Sequence, residues 1–222
     1  MASPLARVNV RADLWETLWS FAHRVLAINL LLALAGTPLM VALSLVATPW
    51  NYPIFFGLLA LPLAPAAAAA FGYLALEDHR PPLSALFRQV PARLRQSLVV
   101  AAIGAGLIGV LAADVTVLAK SLPGAVPLMV VLLVIVAITA INALVLVGLR
   151  PELGLRELLR LAVYTGVRGW ALSLLSFGVL GAVLVIVSQA PLVGLATLPG
   201  CALWVVHTNT QAQLTRITRR SR

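Results

Sequence analysis

From Val25 to Leu76 the chain carries no Asp, Glu, Lys or Arg. A hydrocarbon core about 30 Å thick needs roughly 20 apolar residues per helix, so this run holds two crossings and a turn. The turn is Thr48-Pro49-Trp50-Asn51-Tyr52-Pro53. Its prolines and Asn break the helix, and Trp and Tyr suit the lipid–water boundary. The pattern therefore predicts transmembrane helices over 25–47 and 54–76. Glu77-Asp78-His79-Arg80 then opens a basic hook that runs to residue 96. Within it Leu83, Leu86, Phe87, Val90 and Leu94 recur at helical spacing, and Arg88 and Arg95 point away from that stripe. Pro91 is expected to bend or split this surface helix.

The same alternation repeats further along. Spans are expected over 97–118 and 127–149, joined by Ser121-Leu122-Pro123-Gly124-Ala125-Val126. A second hook, Arg150 to Arg168, places Leu155, Leu158, Leu159 and Ala162 on one stripe, with Arg156, Glu157 and Arg160 opposite. Glu152 and Arg156 have the spacing of an i,i+4 ion pair. Spans over 169–188 and 192–210 follow, joined by Gln189-Ala190-Pro191. Gly36-Thr37-Pro38 and Pro199-Gly200 mark expected kinks. Ahead of the first span, Asp13 and Glu16 have capping-box spacing, and Leu14, Trp15, Leu18, Trp19 and Ala22 share a side. This amphipathic helix is either a membrane-surface anchor or a partner-docking helix.

The expected fold is thus an all-α polytopic bundle of six transmembrane helices, with an N-terminal amphipathic helix and two amphipathic cytoplasmic hooks. It divides into an interfacial segment (1–24), a membrane domain (25–212) and a basic tail (213–222). A weak internal repeat joins the hooks: Leu83, Leu86, Phe87 and Arg88 match Leu155, Leu158, Leu159 and Arg160 at an offset of 72. A true repeat of this type would relate the two by an axis along the membrane normal.

Composition agrees with the pattern. Of 222 residues, 61% are hydrophobic and 10% charged, against about 25% charged in a soluble domain. The net charge of +9 would point to nucleic acid in a soluble protein. Here the basic residues flank apolar runs, so orientation and anionic head groups account for them and no nucleic-acid partner is expected. Fifteen of the sixteen Lys and Arg residues fall in the presumed cytoplasmic segments, and Lys120 alone falls in an outer turn. Both termini are accordingly expected on the cytoplasmic side of the membrane.

Candidate chemistry is sparse. Cys201 is the only cysteine, and neither a phosphate-binding loop nor an HExxH motif occurs, so no catalytic residue, metal or cofactor is expected. Asp114 is the only carboxylate inside an expected span. It reads as a proton or cation site by default. It also lies only about 9 Å along the helix from Lys120, which allows an interfacial role, solvated or paired with that lysine. Asn29, Thr139 and Asn142 are either interhelical hydrogen-bonding groups or, with Asp114, the lining of a polar site. His207, near the end of the last span, is expected at head-group level. Arg88, Arg95, Arg156, Arg160, Trp15 and Trp19 are the candidate contacts for a partner or for lipid.

Certain segments resemble the YesL-like family of bacterial integral membrane proteins. They are Asn29-Leu30, Ala64-Pro65-Ala66-Ala67-Ala68, Leu83-Ser84-Ala85-Leu86-Phe87-Arg88 and Leu155-Arg156-Glu157-Leu158-Leu159-Arg160. The similarity extends over about 12–212, with a longer stretch between Pro38 and Pro65 than the family pattern. The resemblance implies a non-enzymatic accessory or regulatory subunit in carbohydrate uptake, touching the permease or ATPase subunits of a sugar ABC importer. It supplies no catalytic residues. The alternative is a small-molecule carrier or substrate-binding membrane subunit with a cavity between its helices, and a lipid-interacting scaffold is a third reading.

Overall fold

The computed structural model of the chain describes residues 10–76, 82–189 and 191–220. The described residues form eight α-helices and two short 3-10 turns: α1 (Val10–Leu45), α2 (Pro53–Ala60), α3 (Leu63–Leu74), α4 (Leu83–Ser121), α5 (Val126–Leu149), α6 (Leu155–Arg168), α7 (Trp170–Gln189) and α8 (Pro191–Arg220). No strand occurs among them. The 3-10 turns, Pro49–Asn51 and Pro123–Ala125, sit in the two proline-bearing outer turns read from the sequence. Five stretches are long and apolar enough to cross a membrane: Thr17–Leu45, Pro53–Leu74, Leu83–Ser121, Pro123–Leu149 and Trp170–Gln189. The chain is therefore an all-α, multi-pass membrane protein. The stretch expected as a sixth span, 192–210, falls within α8, which is not among these five.

Several boundaries differ from expectation. Pro91 does not split the first hook, because α4 runs unbroken through it from Leu83 to Ser121. The hook is thus the base of a spanning helix rather than a separate surface element. A membrane helix tolerates the lost donor when local adjustments re-satisfy the freed carbonyl. In the same way the N-terminal amphipathic segment is continuous with the first span in α1, which starts at Val10. Asp13 is therefore inside the helix and not at its cap. The second expected span is divided instead, into α2 and α3 around Leu61-Pro62. At the far end, α8 continues to Arg220 and absorbs most of the basic tail. Glu152 lies in the turn before α6 begins at Leu155, so helical spacing does not bring it to Arg156, and no ion pair joins them among the described residues. Arg7, Arg80 and Arg222 lie outside the described residues.

Packing centres on α3. Its alanine run lets neighbouring backbones approach, and Ala66, Ala68, Ala69 and Ala70 are fully buried. α3 packs against α1, α4 and α5, while α8 pairs with both α1 and α7, and α6 lies against α5. The main core joins Ile28, Phe71, Tyr73, Leu86, Val145 and Val206, and a second cluster joins Val100, Ala143, Leu146, Leu158 and Ala162. Helices α3 and α5 approach closely at Gly148 of α5. A Cβ there would lie 2.6 Å from the Phe71 Cβ and 2.7 Å from the Ala68 carbonyl oxygen.

Two of the four hook pairs agree in burial, whereas Leu83 and Phe87 are exposed where Leu155 and Leu159 are half-buried. Leu86 and Leu158 are both fully buried, and Arg88 and Arg160 are both exposed. The register runs on into the spans: Gly104 and Ser176 are buried, whereas Gly106 and Gly109 of α4 match Gly178 and Gly181 of α7 in facing open space. It also reaches back to α1, where Val25, Ile28 and Leu32 are buried as are Ser97, Val100 and Gly104 at the same offset.

Gly148→Leu is expected to force α3 and α5 apart and to destabilise the protein by about 1–3 kcal/mol, as overpacking does. Gly106→Leu, on an open face, is the control. Thermal unfolding in mild detergent checks the pair: the first should melt lower and the second should not.

Candidate functional site

The most developed polar structure lies where the bases of α1 and α4 meet the C-terminal ends of α3 and α5. A helix leaves its last four carbonyls without internal partners. At the end of α3, Phe71 and Tyr73 carbonyls accept from the Ala75 and Leu76 N–H groups at 3.2 and 3.3 Å. Arg24 of α1 supplies donors beyond these: Nη1 donates to the Leu74 carbonyl at 3.1 Å and Nη2 to Leu76 at 3.0 Å. At the end of α5, Arg93 of α4 donates from both Nε (3.3 Å) and Nη2 (3.0 Å) to the Gly148 carbonyl. Gln96 Nε2 donates to the Leu153 carbonyl in the following turn at 2.8 Å. Arg24 and Gln96 are equivalent positions at the 72-residue offset. Arg93 reaches its carbonyl past Gly72, where a Cβ would lie 2.8 Å from the guanidinium carbon.

A second polar seam joins α7 to α8. Asn209 Nδ2 donates to Ser176 Oγ at 3.1 Å, and Gln213 Nε2 donates to Ser173 Oγ and to the Gly169 carbonyl, each at 3.1 Å. Ser173, Ser176 and Gln213 are buried. None of these stood out as a site in the sequence, although the i,i+3 serines and the i,i+4 Asn–Gln pair carry the signal. His207 is buried within the protein and is not exposed at head-group level.

The residues singled out from sequence occupy separate places. Asn29, 4% exposed, accepts a 2.6 Å hydrogen bond from the Gly200 N–H and so joins α1 to α8. Pro199 in the same helix helps explain this, since helices loosen their own bonding around proline. Asn142, 2% exposed, faces α6 at Gly166, where a Cβ would lie 3.1 Å from its Nδ2. Thr139 Oγ1 donates to the Ile135 carbonyl within its own helix at 2.8 Å. Asp114 is exposed towards the C-terminal end of α4. These four do not form a common polar lining. Arg88, Arg95, Arg156 and Arg160 are all exposed, as are Trp15 (61%) and Trp19 (64%).

Two apolar clefts flank α5. One of about 380 Å³ lies between α5, α6 and α7, with Val131, Ile135, Thr139, Val167, Trp170 and Leu174 among its lining. The other, of about 210 Å³, lies between α4, α5 and α6, with Val100, Ile103, Leu107, Ile135, Thr139 and Val163. Ile135 and Thr139 form a wall shared by both. A shallower cleft at the hook base, lined by Leu76, Ala85, Arg88, Gln89 and Arg93, measures about 250 Å³. No family model, curated protein or solved structure matches the chain.

Arg93→Leu is expected to strip the Gly148 carbonyl of its donor. Stability should fall by about 1–3 kcal/mol, the usual consequence of leaving a buried acceptor unpaired. Arg93→Lys should recover only part of this, because lysine lacks the planar fork that reaches the carbonyl with two N–H groups. Unfolding temperatures of the two variants, compared with exposed Arg88→Leu as a neutral control, check the assignment.

Proposed function

We propose that the protein is a non-enzymatic accessory subunit of the bacterial plasma membrane, with six spans and both termini inside, that docks through the base of α4 onto a sugar ABC importer. The observation that supports this reading is the surface of that base. Leu86 is buried and Val90 half-buried, but Leu83, Phe87 and Leu94 remain exposed at 42, 42 and 43%. These three share a helix face, at i, i+4 and i+11, and Arg88 and Arg95, seven residues apart, form a basic ridge beside it. An apolar strip with a cationic flank, held on a continuous 39-residue helix, is a firm platform for a partner with an acidic rim. The choice of partner rests on the YesL-like resemblance, which points to a permease or ATPase subunit.

The carrier reading gains nothing from the polar residues first considered for it, since only Thr139 lines either apolar cleft and its hydroxyl is bonded within α5.

Arg88→Glu with Arg95→Glu is expected to cut co-purification of the importer subunits by about tenfold, equivalent to roughly 1.4 kcal/mol. A mild-detergent pull-down of the tagged protein, with mass spectrometry of the eluate, measures it. Undiminished recovery after this charge reversal would sink the docking proposal.

A further inference from the structure

The second hook carries a different arrangement from the first. Arg156, Arg160, Val163 and Val167 follow one another at i, i+4, i+7 and i+11, so they lie along a single face of α6. All four are exposed. Val163 lines the cleft between α4 and α5, and Val167 lines the cleft between α5 and α7. Along one face, then, two guanidinium groups give way within a turn to the mouths of two apolar clefts.

What fits there must be anionic at one end and apolar along the rest. The shared wall of the clefts, Ile135 and Thr139, offers no free hydroxyl, because Thr139 spends its proton on the Ile135 carbonyl. A free anion would leave the clefts empty. A transmembrane helix of another chain would fill them but would give the two guanidinium groups no counter-charge. A phospholipid supplies both parts, and the bilayer presents it at high concentration. Arginine holds phosphate oxygens through paired N–H donors, and anionic lipids of the cytoplasmic leaflet attract such groups. Trp170 is 65% exposed at the cleft edge, and Arg168 Nη1 donates to the Tyr164 hydroxyl at 2.7 Å with its guanidinium over the same ring.

We propose that the clefts on either side of α5 hold the acyl chains of an anionic phospholipid whose phosphate is bound by Arg156 and Arg160. The lipid seals the gaps that α5 leaves towards α4 and α7, and it fixes α6 against the inner leaflet. This site is independent of the docking surface at the base of α4, which uses other arginines.

The test is native mass spectrometry of the full-length protein in mild detergent. It is titrated with phosphatidylglycerol, with phosphatidylcholine of the same chains, and with soluble glycerol phosphate. Phosphatidylglycerol should be retained about tenfold more tightly than phosphatidylcholine, and excess glycerol phosphate should not displace it. In R156Q/R160Q, whose altered side chains are exposed, the preference should vanish while the fold is kept. In V163W, which fills one cleft, retention of both lipids should fall, with helical content by circular dichroism unchanged. Equal retention of the two lipids by the wild type, an undiminished preference in R156Q/R160Q, or full retention by folded V163W would overturn the proposal. Displacement by glycerol phosphate would also overturn it, by showing a site for the phosphate alone. A lipid-free dimer would do the same, by showing that a second copy fills the clefts.

Discussion

A helix end shut away from water must find donors for its last carbonyls within the protein, because lipid offers none. In this protein that constraint is met at the ends of α3 and α5 by arginines from neighbouring helices, Arg24 from α1 and Arg93 from α4. A charge-assisted bond to a carbonyl is stronger than a neutral one, and a guanidinium can serve several acceptors at once. The consequence is architectural. For Arg93 to reach Gly148, α4 must remain helical below the membrane span, and α3 must pass close enough to need Gly72 and Gly148 where their backbones meet. The basic segments therefore join the bundle together.

This explains why the hooks belong to the spanning helices. α1 and α4 each run from an amphipathic base straight into the membrane, and burial follows the same 72-residue register in both. The third unit departs from the pattern at Gly169, which separates α6 from α7. There the junction is held by Gln213, which donates to the Gly169 carbonyl, so a neutral amide takes the place of the arginine. α6 lies against α5, and the two apolar clefts are found on either side of α5 beside it.

Much of the fold could be read from the chain because a membrane span is a property of composition over about twenty residues. The span expected at 127–149 is observed at Val126–Leu149, and that expected at 169–188 at Trp170–Gln189. Asn29 was legible as a polar group inside a span, and it accepts a hydrogen bond from Gly200 of α8. What could not be read depends on proximity. Arg93 counts in the sequence as one positive charge among many, and its task follows from two glycines on other helices. Ser173 and Ser176 are ordinary until Asn209 and Gln213 face them. Pro91 reads as a break because the local rule for proline takes no account of the neighbours that hold a long helix together.

The proposed topology puts the bases of α1 and α4, which cap α3 and α5, together with α6 on one side of the membrane and the turn at Lys120 on the other. Single cysteines at Arg88, Arg156 and Lys120, placed in a Cys201→Ala background and probed on intact cells with a membrane-impermeant maleimide, test this directly. Labelling is expected at position 120 alone, with positions 88 and 156 reacting only after the membrane is opened. Labelling of position 88 or 156 from outside, or of position 120 only after opening, would contradict it.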